Sequence, residues 1–214
     1  MRGYLPEDEK SLGYATLLEW DNLYYEPVET PLVEATKKQV RVGVVQWQMR
    51  PVSSVDELLS QAEFFVDSLS DYKSDFVLFP EFFSTPLMGI GPQDRAPTEA
   101  IRDLAALTPT LVEAMSRFAV TYNTNIVAGS MPVLRDDGVL VNVAFLCERN
   151  GTVHEQHKLH VTPDEADYWM IEGGTGLATF ETDAGRIGVL ICYDVEFPEL
   201  PRLLAEEGMD MLFV

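Results

Sequence analysis

Apolar and polar positions follow one another from residue 41 onward in a pattern that predicts alternating strands and helices. The apolar run at 42–48 predicts a first strand. Ser54 and Glu57 have the spacing of a capping box, and apolar residues then recur at helical spacing as far as Leu69. The first unit is therefore predicted to be a strand followed by a helix.

The next segments repeat this order. The short apolar runs at 75–79 and 125–130 are each expected to form a strand. Between them, helix is expected to begin after Pro97. Thr108-Pro109 has the form of an N-cap followed by a first-turn proline, which predicts a further helix through about Tyr122.

The second half consists of paired extended runs joined by turn residues. Residues 139–149 and 152–158 flank Asn150-Gly151, a strong hairpin signal. Residues 178–182 and 186–191 flank a second predicted turn. The pattern therefore predicts two hairpins.

A helix from about Pro198 to Glu207, closed by Gly208, and a strand at 209–214 are expected at the end of the chain. Because βα units are combined with hairpins, we expect mixed sheets covered by helices, an α/β fold.

Composition narrows the class of protein. The chain has 214 residues, 46% of them hydrophobic, which is enough to bury a sizeable core. Its net charge of −20 would repel phosphate backbones and anionic lipids, so nucleic-acid and membrane partners are not expected. The segment MRGYLPEDEK has no apolar stretch after its one arginine, and no segment has the apolar length of a membrane span, so a cytoplasmic protein is expected.

The cysteine and histidine content argues against a disulfide scaffold and against a metal site. Cys147 and Cys192 are expected to be free thiols, since reduced cysteine is the default inside cells. On a strand, His154 and His160 would share one face while His157 points to the other, so the three cannot converge on a metal ion without a bend. No metal and no cofactor are expected.

Three polar residues stand where apolar strands end, namely Glu81, Lys158 and Cys192. Taken singly, each has an ordinary interpretation: a buried thiol, a solvated carboxylate and a surface lysine. Taken together, they are a thiol nucleophile, a carboxylate that can remove its proton and an ammonium that can stabilise an anion. Strand ends are also where α/β folds collect their sites.

The sequence around these residues resembles the nitrilase superfamily, the carbon–nitrogen hydrolases. The resemblance rests on three blocks: Phe79-Pro80-Glu81, the stretch His157-Lys158-Leu159-His160, and GVLICYDVEFPE at 188–199. It implies an α-β-β-α sandwich of the nitrilase type, with mixed sheets flanked by helices. Members usually assemble as dimers or larger oligomers, which implies a possible homodimer through the hydrolase domain.

The resemblance also implies roles for individual residues. Cys192 would be the nucleophile, Glu81 the general base and then acid, and Lys158 the cation that stabilises the oxyanion, with the Tyr193 backbone N–H as a second donor. Many members have a second glutamate after the lysine; Glu165 is the nearest candidate, and the neighbouring Asp164 is an alternative.

The expected activity is hydrolysis of a non-peptide carbon–nitrogen bond, in a small amide or possibly a nitrile, through a thioester on the cysteine. The alternative is a non-catalytic or inactive fragment or binding module of the same fold. Superfamily domains continue past the nucleophile block, so the hydrolase domain at 40–214 is interpreted as truncated at its C-terminus. Residues 1–39 are interpreted as an extension that resembles the tail of a GNAT-type acetyltransferase domain.

Overall fold

The computed structural model of the chain describes residues 39–92 and 94–214, which belong to one compact unit. The strands are β1 Val42–Val44, β2 Phe76–Leu78, β3 Asn125–Leu134, β4 Leu140–Cys147, β5 Val153–His157, β6 Ile171–Glu172, β7 Thr179–Thr182, β8 Gly185–Val189 and β9 Met211–Phe213. The α-helices are α1 Val55–Asp71, α2 Pro97–Thr121, α3 Pro163–Trp169 and α4 Glu199–Glu206. Short 3₁₀ helices span Thr85–Gly89 and Cys192–Glu196.

The strands of the described residues form two mixed sheets. The larger has the order β1-β2-β3-β4-β5, and the short β6 pairs with β4. Its first three strands run parallel, whereas β3, β4 and β5 run antiparallel. In the smaller sheet, the hairpin of β7 and β8 is extended by a parallel β9. The predicted mixed α/β architecture is confirmed.

Side-chain alternation along the larger sheet creates two cores. On one face, Val77, Ile126 and Val143 belong to a core that also contains buried residues of α1 and α2. On the other face, Phe76 and Val127 join residues of the smaller sheet, including Ile187, Val189 and Phe213. Successive residues of a strand point to opposite faces, so β2, β3 and β4 each contribute to both cores.

The smaller sheet is covered on its outer side by α4. Leu200 and Leu204 of this helix are buried together with Leu190, and Leu212 of β9 packs against them. The layers are therefore helices, larger sheet, smaller sheet and helix, which confirms the predicted α-β-β-α sandwich.

The expected break at Thr108-Pro109 is wrong. Helix α2 runs through both residues without interruption, and the Thr108 hydroxyl donates to the Pro132 carbonyl at 2.6 Å instead of capping a helix. Proline lacks an N–H and weakens a helix interior. Here Leu104 and Ala105, before Pro109, and Leu111, after it, are buried in the same core, and this packing keeps the helix continuous.

The start of α1 differs in detail from a capping box. The Ser54 hydroxyl accepts from the Glu57 N–H at 3.1 Å, as predicted. The Glu57 carboxylate, however, accepts from the backbone N–H of Ser53 at 2.8 Å. The first strand is also shorter than the apolar run 42–48, because its ladder with β2 ends at Val44.

Both predicted hairpins are present. In the first, Gly151 adopts a φ of +93°, and the Glu148 N–H donates to the Thr152 carbonyl at 2.8 Å. The final helix and strand are present as α4 and β9. Helix α3 and strand β6 were not predicted.

The proposed extension at 1–39 lies outside the described residues, apart from its last residue. In the part of the chain that the structure describes, no helix has the length and apolar character needed to cross a membrane.

Candidate active site

The position of Glu81 depends on a close approach of two strands. Glu81 follows β2 and Pro80, and it forms an isolated parallel bridge with Ser130 of β3. Beside it, β3 bulges between Val127 and Ser130, and Gly129 adopts a φ of +58°. A Cβ atom at Gly129 would lie 2.0 Å from the Pro80 carbonyl oxygen, so only glycine allows this approach.

Lys158 directly follows β5 and is deeply buried, with a side-chain exposure of 1%. Its backbone N–H donates to the Asn142 carbonyl at 2.9 Å, and its carbonyl accepts from the Gly174 N–H at 2.8 Å. The chain packs closely here, since a Cβ at Gly174 would lie 2.5 Å from the Cβ of His157. These contacts hold the lysine backbone while its ammonium reaches the cavity.

Cys192 lies just beyond β8, at the first position of the 3₁₀ helix Cys192–Glu196. Its φ is +47°, in the left-handed region that costs a non-glycine residue of order 1–3 kcal/mol. The residue is exposed, unlike Ile191 before it. The sharp turn thus places Cys192 outside the buried apolar strand, where its side chain is accessible.

Asp194 ties the cysteine turn to the lysine segment. Its buried carboxylate accepts from the backbone N–H groups of His160 at 2.7 Å and Leu159 at 3.2 Å. The His160 ring lies 3.2 Å from the same carboxylate and stacks on Phe197 at a centroid distance of 3.6 Å. Asp194 was not among the predicted site residues, although it lies inside the nucleophile block.

The Lys158 ammonium bridges two carboxylates. It donates to Glu81 Oε1 at 2.8 Å and to Glu165 Oε2 at 2.7 Å. Glu165 sits in the first turn of α3, in a capping box in which Thr162 is the N-cap. A threonine followed by proline and, three residues on, by glutamate was the sequence signal for this helix.

Asn142 contacts both carboxylates of the cluster and was not among the predicted site residues. Its Nδ2 donates to Glu81 Oε1 at 2.8 Å and to Glu165 Oε1 at 3.0 Å, so one amide holds both carboxylates around the ammonium. It is the one polar residue in the otherwise apolar run of β4, and this pattern was the available signal.

The charges of this cluster stabilise one another. Burial alone would lower the pKa of Lys158, but hydrogen bonds to Glu165 and Glu81 outweigh it, and the pKa is raised. Burial alone would raise the pKa of Glu165, but the Lys158 ammonium and the Thr162 backbone bond outweigh it, and the pKa is lowered. Both groups are therefore held in their charged forms.

The Cys192 thiol is held in its neutral form. Partial burial raises its pKa, and the charge and hydrogen bond of the Glu81 carboxylate raise it further, whereas the Lys158 ammonium opposes them. A thiol that contacts a carboxylate can pass its proton to that carboxylate as it attacks. The arrangement suits a nucleophile that is activated during the reaction.

These side chains open into one cavity of about 460 Å³. Its lining consists of Glu81, Phe82, Pro97, Lys158, Thr162, Asp164, Glu165, Tyr168, Trp169 and Cys192. The structure therefore brings Glu81, Lys158, Cys192 and Glu165 together. Of the two carboxylates considered as the second acidic residue, Glu165 contacts the ammonium, whereas Asp164 lies on the cavity wall.

Cys147 and His154 do not line this cavity. Cys147 is a buried free thiol in β4, and burial raises its pKa to about 12. His154 pairs with Glu148 at 2.7 Å. Within residues 39–92 and 94–214, no group of three or more His, Cys, Asp and Glu side chains is arranged to hold a metal ion.

Comparison with known proteins identifies the family. The sequence model of the carbon–nitrogen hydrolase family matches residues 41–214. The chain belongs to this family. It is 41% identical over 210 residues to the probable hydrolase YhcX of Bacillus subtilis, covering 98% of this chain and 40% of that protein. It is 31% identical to a deaminated glutathione amidase of Synechocystis, covering 83% of this chain and 66% of that protein.

Solved structures share the nitrilase-type fold. Nit3 of Saccharomyces cerevisiae, a nitrilase-superfamily member, aligns with a TM-score of 0.63 at 23% identity, over 81% of this chain and 62% of that one. A mutant amidase from Nesterenkonia sp. AN1, which shows Michael addition of acrylamide at its active site cysteine, aligns with a TM-score of 0.66 at 21% identity, over 81% and 65%. The chain thus spans about two fifths to two thirds of the length of these relatives.

Proposed function

We propose that this carbon–nitrogen hydrolase domain cleaves the amide bond of a small molecule through a thioester on Cys192. The observation that carries the proposal is the meeting of Glu81, Lys158 and Cys192 at one cavity, with Lys158 Nζ 2.8 Å from the Glu81 carboxylate. Glu165 and the Tyr193 backbone N–H have supporting roles.

In the first step, Glu81 takes the thiol proton while the sulfur attacks the amide carbonyl carbon. The oxyanion that forms is stabilised by the Lys158 ammonium and by the backbone N–H of Tyr193, which lies in the first turn of the 3₁₀ helix, where N–H groups lack intrahelical acceptors. Glu81 then gives its proton to the leaving nitrogen, the carbon–nitrogen bond breaks, and an amine or ammonia departs.

In the second step, Glu81 deprotonates a water molecule that attacks the thioester carbonyl. The same donors hold the second oxyanion, the carbon–sulfur bond breaks, and the thiolate recovers its proton from Glu81. Glu165 and Asn142 keep the Lys158 ammonium charged and in place through both steps.

Amides are favoured over nitriles as substrates. Relatives of this chain include a deaminated glutathione amidase, the 2-oxoglutaramate amidase of Bacillus subtilis and the omega-amidase NIT2 of Xenopus tropicalis, and also a nitrilase of Pyrococcus abyssi. A nitrile would form a thioimidate on the same cysteine. The competing proposal is a non-catalytic binding module of the same fold.

We further propose four properties of the chain. Residues 1–39 form an extension related to the tail of an acetyltransferase domain, residues 40–214 form the hydrolase domain, the hydrolase domain forms a homodimer, and the protein is cytoplasmic. Size-exclusion chromatography with light scattering measures the oligomeric state directly.

The proposed reaction is tested with a panel of primary amides and nitriles, each assayed for the carboxylic acid and ammonia released. Hydroxylamine is then added to intercept the thioester, which yields a hydroxamate and the free thiol. We expect turnover of at least one amide and hydroxamate formation with it. An amide that is turned over without any hydroxamate would contradict the thioester, and release no faster than the buffer background would favour the non-catalytic module.

A further inference from the structure

The wall of the candidate active-site cavity carries a carboxylate that the proposed mechanism does not use. Asp164 lines the cavity from the first turn of α3, beside Glu165. No hydrogen bond or ion pair links its side chain to another described residue, whereas Glu165 is buried and bonded to Lys158. Asp164 is therefore free to contact a substrate.

Aromatic side chains adjoin this carboxylate. Tyr168 follows Asp164 by four residues on α3, so both lie on the same helix face, and both line the cavity. Tyr168 is 62% exposed. Trp169 and Phe82, whose rings meet edge to face with a centroid distance of 5.2 Å, line the cavity as well.

The charge of the cavity is negative. Lys158 is the only cation among the described residues that line it, and its ammonium already lies 2.8 Å from Glu81 and 2.7 Å from Glu165. The cavity lining thus contains three carboxylates, those of Glu81, Glu165 and Asp164, and one ammonium. The chain as a whole carries a net charge of −20, which adds to the local negative potential.

We propose that the substrate is an amide with a cationic group, an ammonium or guanidinium, which Asp164 and the ring of Tyr168 recognise at the cavity wall. An unpaired carboxylate attracts such a group, and an aromatic face adds a cation–π contact. A substrate with a free carboxylate would instead meet repulsion from Asp164 and would find no unpaired cation among the described lining residues. This inference rests on the proposed amide hydrolysis.

The first test compares three amides of matched length: 5-aminopentanamide, pentanamide and glutaramate, which are cationic, neutral and anionic. At low ionic strength, we expect kcat/KM to fall from the cationic to the neutral to the anionic amide, by about 2- to 5-fold between successive substrates. A change of this size is what a solvent-exposed ion pair contributes. Added salt should reduce these differences in kcat/KM, because it screens the charges. Equal values, or a preference for glutaramate, would overturn the inference and leave amide hydrolysis intact.

Variants test whether Asp164 and Tyr168 cause the preference for the cationic amide. Asp164→Asn and Tyr168→Leu should each reduce the ratio of kcat/KM for the cationic amide to that for the neutral amide, by about 2- to 5-fold for the charge change. Asp167→Asn is the matched control, because Asp167 is exposed on the same helix but does not line the cavity. An unchanged ratio in Asp164→Asn, or an equal reduction in Asp167→Asn, would overturn the assignment.

A second readout does not depend on amide turnover. Methanethiosulfonate reagents that carry a trimethylammonium or a sulfonate group form a mixed disulfide with a cysteine thiolate and release methanesulfinate. After correction for their rates with a small thiol in solution, we expect the cationic reagent to modify Cys192 faster than the anionic one. We expect Asp164→Asn to narrow this difference. An anionic reagent that is equally fast would overturn the inference even if no amide is hydrolysed.

Discussion

Asp194 Oδ1 accepts a hydrogen bond of 2.7 Å from the backbone N–H of His160, and this bond joins the segment that carries Lys158 to the turn that carries Cys192. The two candidate catalytic residues come from different sheets, since Lys158 follows β5 of the larger sheet and Cys192 follows β8 of the smaller one. A buried carboxylate between them fixes their relative position.

Asp194→Asn should therefore lower kcat more than it raises KM. The variant keeps one acceptor oxygen, but it replaces a charged acceptor by a neutral amide whose NH₂ group faces backbone donors, at an expected loss of about 1–3 kcal/mol of unfolding free energy. Urea unfolding and amide turnover measure the two effects. Asp136→Asn, in an exposed turn, is the control and should change neither. Full activity in Asp194→Asn would show that Asp194 is not needed to position Lys158 relative to Cys192.

Glu81→Gln should separate two properties of Cys192. Amide hydrolysis should fall by about 10²–10⁴-fold, because the general base is lost. The thiol pKa, in contrast, should fall, because the Glu81 carboxylate is one of the groups that raise it above the ordinary value of 9.0.

The pH dependence of alkylation by iodoacetamide measures this pKa. In the wild type, the rate should still be rising at pH 9, since the thiolate forms only above the raised pKa. In Glu81→Gln, the curve should move to lower pH. A wild-type rate that is already level at neutral pH would show a preformed thiolate and would contradict the proposed proton transfer.

Asn142→Asp should place a third carboxylate beside the Lys158 ammonium. Neighbouring carboxylates raise one another's pKa, because each negative charge disfavours ionisation of the other group. The acidic limb of the kcat/KM profile should therefore move to higher pH. The amide bonds to Glu81 and Glu165, at 2.8 and 3.0 Å, would also be lost. The measurement is kcat/KM from about pH 5 to 9. A profile that coincides with that of the wild type would show that Asn142 does not position the carboxylates.

Gly129→Ala should destabilise the domain and displace Glu81. The new Cβ would lie 2.0 Å from the Pro80 carbonyl oxygen, and the φ of +58° disfavours alanine, so an unfolding free energy lower by about 1–3 kcal/mol or more is expected. Gly176→Ala is the matched control, since its Cβ would meet no atom within 4 Å. Equal urea midpoints for the two variants would contradict this account.

The sequence predicted the layers and the candidate site better than it predicted local interruptions. The alternation of buried strands and amphipathic helices, together with the blocks around Glu81, Lys158 and Cys192, predicted the sandwich. The predicted helix break at Pro109 is wrong, because packing of both halves of α2 against one core overrides the local weakening of the helix. Helix α3 was missed because it is only one short segment with no long apolar period.

The polar contacts inside the site could not be predicted from local pattern. The bonds from Asn142 to Glu81 and Glu165 and the bond from the His160 N–H to Asp194 span 23 to 61 positions of the chain. Strand pairing and the close approach at Gly129 bring them together, and both depend on the tertiary fold. Glu165 was predicted as the candidate second glutamate, whereas Asn142 was not predicted as a site residue.

The most direct test of the central claim is the effect of Cys192→Ala on kcat/KM for an amide that the wild-type chain hydrolyses. Cys147→Ala is the matched control, because Cys147 is buried and its pKa of about 12 leaves it unreactive. We predict a loss of at least about 10³-fold for Cys192→Ala, as expected when a nucleophile is removed, and a loss under about tenfold for Cys147→Ala. Hydrolysis that persists at the wild-type rate in Cys192→Ala would contradict the proposed thioester mechanism.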